Sequence, residues 1–232
     1  MSEDATARSD SPGSPDAGEV RLAEVEPRWN ISPSQPVIAV IAASGSPAGA
    51  LTRKLVWLRW GLVPPWAKSQ PAGRGLVNAR AETVASKPSF RSAFAARRCI
   101  LPADGFYEWQ VTEDVAGRRT KNPYYARAPG GDLLALAAVW EEPNGPVGAP
   151  LGSCAVITAP ANAALAQVHD RMPVLLPSAS WARWLAPEPL DEASHRELLR
   201  PAPDGLLVVE QVSTEVNNPR ADGPSLIRAA GT

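Results

Sequence analysis

The 232-residue sequence predicts an α+β domain with a β-rich core and short helices around it. Many apolar runs have the length of a strand and are bounded by turn residues, as in strand-rich folds. The chain contains 25 prolines and 17 glycines, which is high for a helical bundle and indicates frequent turns. We see no internal repeat and no linker-like stretch in mid-chain, so we expect a single domain.

The first 27 residues differ in composition from the rest. They carry seven acids, two arginines and no aromatic residue, and Ser, Pro, Asp and Gly dominate their first half. Such a segment cannot bury enough apolar surface to fold on its own. We therefore expect residues 1–27 to form a disordered tail, with order beginning near Trp29.

The apolar pattern and the turn signals place each element along the chain. Strands are predicted at 36–43, 55–60, 98–101, 106–110, 124–127, 133–140, 153–158 and 206–212. The strands 124–127 and 133–140 flank the turn Pro129–Asp132 and are predicted to pair as a hairpin. Helices are predicted at 80–92 with a break at Pro88, at 161–168, at 178–185, and at 191–199 with Asp191 as its N-cap.

Composition excludes several classes of protein. Hydrophobic residues make up 44% of the chain and charged residues 20%, which fits a soluble globular protein. No apolar run approaches the length of a membrane span. A basic segment followed by an apolar one, the pattern of a secretion signal, is also absent, so we do not expect secretion. The two cysteines, Cys99 and Cys154, are too few for a disulfide framework, a four-cysteine zinc site or an iron–sulfur cluster, and a reducing cytoplasm is the expected compartment.

Positive charge is concentrated between residues 51 and 100. This block holds ten basic residues and one acid, Glu82, although the whole chain has a net charge of −1. Trp57, Trp60 and Trp66 are interleaved with the cations. Cations for phosphates and flat rings for bases are typical of a surface that binds single-stranded nucleic acid. The alternative is that the tryptophans belong to the core and the charges to a solvated face.

Three polar residues lie where they could perform chemistry. Glu108 lies in the aromatic run Gly-Phe-Tyr-Glu-Trp, where apolar surroundings would raise its pKa and suit a general acid or base; an edge-strand glutamate in water is the alternative. His169 follows an apolar helical stretch, where it is either a titrating group or a helix-capping histidine. Asn78 could cap the helix that follows or orient a substrate.

The remaining candidates point to ordinary structural roles. His195 lies in a polar helical segment and is predicted to face solvent, whereas Cys99 and Cys154 lie in strand-like stretches and are predicted to be small core residues. Phosphate-loop, dinucleotide-binding, CxxC and serine-nucleophile motifs are absent. We expect no metal ion and no other cofactor.

Seven short motifs occur in a fixed order along the chain. They are Asn30-Ile-Ser-Pro33, Trp60-Gly-Leu-Val-Pro-Pro-Trp66, Asn78-Ala-Arg-Ala-Glu-Thr83, Phe90-Arg-Ser-Ala-Phe94, Arg98-Cys-Ile-Leu-Pro-Ala-Asp-Gly-Phe-Tyr-Glu-Trp109, His169-Asp-Arg-Met-Pro173 and Val216-Asn-Asn-Pro219. Together they resemble the SRAP family, the SOS response-associated peptidases that process abasic sites. The resemblance covers residues 28–228, which we expect to form the domain, with 229–232 as a short C-terminal tail.

The resemblance implies a function and a set of site residues. It implies a groove for single-stranded DNA containing abasic sites, in a protein that is a monomer and associates with the nucleoid when DNA-bound. Glu108 would be the general acid or base for opening the sugar ring and forming an imine, His169 would hydrogen-bond the opened sugar, and Asn78 would orient the N-terminal residue. The residues implied to contact DNA are Arg80, Arg91, Trp66, Asn30 and Arg171.

The sequence departs from the family at its beginning. The family opens with Met-Cys-Gly-Arg, and its cysteine captures the abasic aldehyde as a stable thiazolidine; this chain reads Met-Ser-Glu-Asp. Met1 is normally removed before a small residue such as serine. The α-amine of Ser2 that this frees could still form an imine, because about a tenth of such amines are unprotonated at neutral pH. Four functions therefore remain open: a crosslinking abasic-site enzyme, a weak imine-forming lyase, an impaired DNA-binding protein that shields lesions, and a thiol autopeptidase that cleaves its own leader.

Overall fold

The computed structural model describes residues 20, 23, 25–43, 52–67, 75–143 and 151–231. Within these ranges the strands are β1 (Pro36–Ala42), β2 (Arg53–Trp60), β3 (Asn78–Arg80), β4 (Arg98–Ala103), β5 (Gly105–Glu113), β6 (Arg119–Arg127), β7 (Leu134–Glu141), β8 (Gly152–Pro160), β9 (Arg171–Pro173) and β10 (Val208–Gln211). The α-helices are α1 (Arg91–Ala96), α2 (Ala163–Ala166), α3 (Trp181–Leu185) and α4 (Glu192–Leu198). The predicted strand-rich fold with short helices is confirmed.

The larger sheet closes on itself. Its strand order is β2-β1-β4-β7-β8-β3, and β2 also pairs with β8, so that β1, β2, β4, β7 and β8 form a barrel. Inward-facing side chains of these five strands fill one core, which includes the fully buried Cys99 and Cys154, as predicted. A second core lies between the outer face of β4, β7 and β8 and the helices α1, α3 and α4.

The smaller sheet has the strand order β10-β6-β5. Its strands β5 and β6 form a long hairpin in which Glu108 lies opposite Tyr124. The predicted hairpin of 124–127 with 133–140 is wrong: β6 pairs with β5 and β10, whereas β7 lies between β4 and β8 in the barrel. The reason is burial, because all but one residue of β7 is buried, which suits a central strand rather than an exposed ribbon.

The helices differ from the prediction in one segment. Asp191 caps α4 as predicted, and its carboxylate accepts a hydrogen bond from the Ser194 N–H. The helix predicted at 80–92 is wrong: β3 extends to Arg80, and a series of turns follows until α1 begins at Arg91. The turns combine local hydrogen bonds, such as that from the Val84 N–H to the Arg80 carbonyl, with a tertiary one from the Ala81 N–H to the Thr158 carbonyl of β8.

Little of the predicted tail lies within the described residues. Val20 is buried, and its N–H donates to the Leu55 carbonyl of β2 over 3.1 Å. Ser2 and most of residues 1–27 lie outside the described ranges. Among the helices that the structure describes, none has the length and apolar character needed to cross a membrane.

Candidate functional site

A cavity of about 450 Å³ gathers polar side chains from both sheets. The residues that line it come from five separate segments, and they are Asn78, Arg80, Lys87, Phe90, Glu108, Thr158, His169 and Arg171. The structure thus brings together five residues that the sequence marked as candidates, Asn78, Arg80, Glu108, His169 and Arg171. The cavity carries both cations and an acid–histidine pair, so it can bind an anion and also move protons.

Strand pairing positions Asn78 and Arg80. Both lie on β3, which runs parallel to β8 with Arg80 opposite Thr158. Ala79 between them is fully buried, so the alternation of the strand directs the two polar side chains outward. Asn78 caps no helix here, since the segment after it consists of turns, and the reading of Asn78 as a helix cap is therefore wrong.

The aromatic run around Glu108 braces the other side of the cavity. Phe106 packs against the barrel core, while Tyr107 on the opposite face packs with Tyr125 and donates from its hydroxyl to the Trp29 carbonyl over 2.7 Å. The Trp109 indole donates to Asn217 over 2.6 Å. Because its neighbours are anchored in this way, Glu108 is held with its carboxylate toward the cavity.

Burial dominates the electrostatics of Glu108. Its side chain is 24% exposed, and removal from water raises the pKa of the carboxyl above its usual range. The facing His169 and a hydrogen bond from the Trp109 backbone oppose this effect, while Asp170 adds to it. The direction matches the sequence prediction and describes a carboxyl that can hold a proton closer to neutral pH.

The raised pKa has a consequence for stability. As pH rises from below 4.5, the carboxyl ionises first in the unfolded chain, so ionisation of Glu108 costs stability in neutral solution. We expect Glu108→Gln to raise the melting temperature by about 1–4 °C at pH 7.5, and the gain to vanish below pH 4.5. Thermal denaturation of both proteins at the two pH values measures this. A variant that is less stable than the wild type at pH 7.5 would mean that the carboxylate stabilises the fold.

His169 lies directly beyond α2, with its N–H bonded to the Leu165 carbonyl. Its side chain is 40% exposed, and Nδ1 lies 3.9 Å from the Glu108 carboxylate and 3.4 Å from that of Asp170. The Arg171 backbone N–H points at the same Nδ1 over 3.0 Å, and the Arg171 carbonyl lies 3.2 Å away. The amide N–H can only donate, so this shorter contact favours a neutral ring with its proton on Nε2, whereas the carbonyl can only accept and suits a proton on Nδ1.

The guanidinium of Arg171 is engaged within the protein. It forms two parallel hydrogen bonds to Glu82, of 2.6 and 2.9 Å, and a third to the Thr158 carbonyl of 2.5 Å. The Arg171 guanidinium in turn lowers the pKa of the Glu82 carboxyl, so this pair stays ionised. Arg171 lines the cavity with its charge already matched by a carboxylate.

The other candidates lie outside the lining. Trp66 is 66% exposed and follows β2, and Arg91 is exposed at the start of α1. The Asn30 amide donates to three carbonyls near the C-terminal end of the domain, those of Val216, Asn218 and Ala221. These bonds join the two ends of the domain behind β5, on the side that carries Tyr107 and Trp109.

His195 differs from its prediction. The ring is half-buried, packs on Phe94 at 5.1 Å between ring centroids, and lies 3.3 Å from the Ala81 carbonyl. The expectation of a solvent-facing residue is therefore wrong, because one face of α4 packs on the turns that precede α1. Polarity of the surrounding residues alone did not show which side of this short helix is covered.

A family model decides the relationship of the chain to known proteins. The model, described as SOS response associated peptidase (SRAP), matches residues 4–219. The chain belongs to the SRAP family. The match begins within the segment that composition marks as a tail and includes every residue that lines the cavity.

Named relatives agree with this assignment, and solved structures share the fold. The abasic site processing protein YoqW of Bacillus subtilis (strain 168) is 38% identical over 206 residues, which are 89% of this chain and 88% of its own. The abasic site processing protein HMCES of Xenopus tropicalis is 31% identical over 88% of this chain and 66% of its own. A Bacteroides thetaiotaomicron protein has the same fold, with a TM-score of 0.67 at 24% identity, covering 88% of this chain and 82% of that one. A phage-related protein of Bordetella bronchiseptica has a TM-score of 0.63 at 27% identity, with 82% and 84% covered.

The SRAP motifs divide into two groups in the structure. Of the seven motifs, four meet at the cavity, those of Asn78, Phe90, Glu108 and His169, whereas those of Asn30 and Val216–Pro219 meet behind it. Sequence reasoning did not assign site roles to Lys87, Phe90 and Thr158. Their signals were weak, since a lysine in a basic block, a phenylalanine in a motif and a threonine in a buried strand have many other uses.

Proposed function

We propose that this SRAP protein binds single-stranded DNA and processes abasic sites in the cavity that contains Glu108 and His169. The observation that carries the proposal is the 3.9 Å approach of these two side chains beside Asn78 and Arg80. A protein that only bound DNA would gain nothing from a half-buried carboxyl at a surface that meets phosphates. Relatives at 31–38% identity named as abasic site processing proteins support the same conclusion.

The chemistry begins with the sugar. An abasic deoxyribose is a cyclic hemiacetal, and its ring opens when the C1′–O4′ bond breaks. In the proposed step Glu108 donates its proton to O4′ and a base removes the proton of the C1′ hydroxyl, which leaves an aldehyde. His169, with its proton on Nε2, donates a hydrogen bond to an oxygen of the opened sugar.

The second step joins protein and DNA. An unprotonated amine attacks C1′, and the proton that its nitrogen loses passes to the Glu108 carboxylate left by the first step, giving a neutral carbinolamine. Glu108 then returns this proton to the carbinolamine hydroxyl, which leaves as water, and the nitrogen lone pair forms the protonated imine. The amine we propose is the α-amine of Ser2 after removal of Met1, oriented by Asn78. The imine makes the C2′ protons acidic, so loss of one of them expels the 3′ phosphate and cleaves the strand. A serine hydroxyl is a poor nucleophile beside a thiolate, so we expect the imine to be transient.

Electrostatics provides the first test, since binding to phosphates releases counterions. We expect affinity for an abasic single strand to fall steeply with salt, and Arg80→Ala to weaken it about tenfold at low salt and to lower the slope of log K against log salt by about 0.7. Fluorescence anisotropy with a tetrahydrofuran abasic analogue measures both quantities without any reaction. Arg196→Ala, which removes an exposed arginine of α4 paired with Glu192, is the matched control. An affinity that does not change with salt concentration would contradict the proposal that the protein binds DNA through its phosphates.

The covalent step needs its own test. Incubation with a true abasic strand, with and without borohydride, is read on a denaturing gel, and mass spectrometry of trapped peptides locates the modified amine. A borohydride-dependent shift that maps to Ser2, together with cleaved DNA, is expected. Tight binding with neither shift nor cleavage would show a lesion-shielding protein instead of an enzyme.

A further inference from the structure

Lys87 lines the cavity, yet the chemistry described so far gives it no role. Of the three lysines in the part of the chain that the structure describes, Lys54, Lys87 and Lys121, it is the one in this lining. It shares the cavity with Glu108 and His169. An unprotonated lysine amine is a nucleophile that forms imines with carbonyl compounds. Lys87 therefore places a reactive amine in a site that is proposed to generate an aldehyde.

The turns that precede α1 fix the backbone of Lys87. Its N–H donates to the Thr83 carbonyl over 2.9 Å, and its own carbonyl accepts from the N–H groups of Phe90 and Arg91 over 3.0 and 2.9 Å. Phe90 lines the same cavity and is 5% exposed, so the segment is also anchored in the core. The base of the Lys87 side chain is thus held at the cavity wall, and its flexible four-carbon stem lets the amine reach a substrate.

The Lys87 ammonium is not committed to an ion pair among the described residues. Glu82, the one acid between residues 51 and 100, is bound to Arg171 instead. A cavity of about 450 Å³ has the size of a small-molecule site, so groups on opposite walls can reach one deoxyribose together. The Lys87 amine can therefore approach C1′ of a sugar that also contacts Glu108.

We propose that Lys87 is a second imine-forming amine of this cavity, so that the protein cleaves abasic strands through an intermediate on Lys87 as well as on Ser2. The substrate and the role of Glu108 rest on the proposed function. The unprotonated Lys87 nitrogen attacks C1′ of the opened sugar, and the proton that it loses passes to the Glu108 carboxylate. Glu108 returns this proton to the hydroxyl, which leaves as water, and the nitrogen lone pair forms the protonated imine.

Strand cleavage follows from this imine. The Glu108 carboxylate takes a proton from C2′, and the electrons of that C–H bond form an enamine. The enamine expels the 3′ phosphate, which leaves a double bond between C2′ and C3′ and restores the protonated imine. Water then adds at C1′ and releases the unsaturated aldehyde, and Lys87 returns as its ammonium.

Lys87→Arg tests the assignment, because a guanidinium keeps a positive charge for phosphates but stays protonated and forms no imine. The abasic strand is incubated with the full chain and borohydride, and mass spectrometry locates the trapped sugar. We expect adducts on Ser2 and on Lys87 in the wild type. In Lys87→Arg the second adduct is lost, while affinity for the tetrahydrofuran strand stays within about twofold of the wild type. Lys121→Arg, a change at an exposed lysine of β6, is the matched control and is expected to keep both adducts.

Acetylation of the α-amine separates the two nucleophiles, because it removes the amine of Ser2 and leaves the lysines unchanged. The acetylated wild type is expected to retain trapping and strand cleavage, and acetylated Lys87→Arg to lose both. An acetylated wild type that binds the strand but neither traps nor cleaves it would show that Lys87 forms no productive imine, with the proposed function intact. Failure of every form to bind the tetrahydrofuran strand would refute the proposed function, and the role of Lys87 with it.

Discussion

Glu108→Gln is expected to slow formation of the borohydride-trapped product by at least about 100-fold, the usual contribution of a general acid or base. The amide keeps the shape and the packing among Phe106, Tyr107 and Trp109, but it cannot donate and take back a proton at O4′ or at the carbinolamine. Single-turnover trapping on an abasic strand, at saturating protein and pH 7, measures the effect directly.

Binding separates this role from a structural one. The variant is expected to hold the tetrahydrofuran strand within about threefold of the wild type and on the tighter side, because it lacks one negative charge near the phosphates. Glu210→Gln is the control, since Glu210 is also a partly buried glutamate of the smaller sheet, paired with Arg127. Parallel losses of binding and reaction in Glu108→Gln, but not in Glu210→Gln, would show that Glu108 supports the cavity and moves no proton.

The sequence predicted the strands well where burial alternates. In β1 every second residue is buried, and the predicted strand 36–43 ends within one residue of the observed Ala42. The prediction from sequence was wrong where two strand pairings fit the local pattern equally well and tertiary contacts determined which one forms. The segment 133–140 has the spacing of a hairpin partner for 124–127, but its continuous small apolar residues let it enter the middle of the barrel.

The site could be predicted only in its parts. Local surroundings indicated Glu108, His169 and Asn78 as candidates but left a structural alternative open for each, and the resemblance to SRAP motifs assigned their roles. Nothing local predicted that Glu108 and His169, far apart in the chain, would approach to 3.9 Å, since that depends on how the smaller sheet packs against the barrel. The ion pair between Arg171 and Glu82 could not be predicted from the sequence either, because each residue has several oppositely charged residues with which it could pair.

The largest effect on stability is expected at Arg98, whose burial the sequence also did not reveal. The residue is 2% exposed on β4, and each of its five N–H donors meets a backbone carbonyl. Those carbonyls belong to the end of α1 and to the end of α3 with its following loop, namely Phe94, Ala95, Trp184, Ala186 and Glu188. Burial lowers the pKa of the guanidinium, yet arginine remains charged in neutral solution, and the carbonyls take the place of water.

Arg98→Met fills similar space but leaves these helix-end carbonyls without donors, so we expect a loss of about 3 kcal/mol or more, a fall in melting temperature of about 10 °C. Arg98→Lys is expected to recover only part of this, because three donors on a flexible stem cannot replace a planar fork. Thermal and urea denaturation measure both variants, with the exposed Arg196→Met as a control expected to stay within about 0.5 kcal/mol of the wild type. The helix α1 follows directly after the turns that carry Lys87 and Phe90, two residues that line the cavity. If Arg98→Met kept wild-type stability, the hydrogen bonds of Arg98 would not be needed to hold α1 and these turns in place, and packing alone would do so.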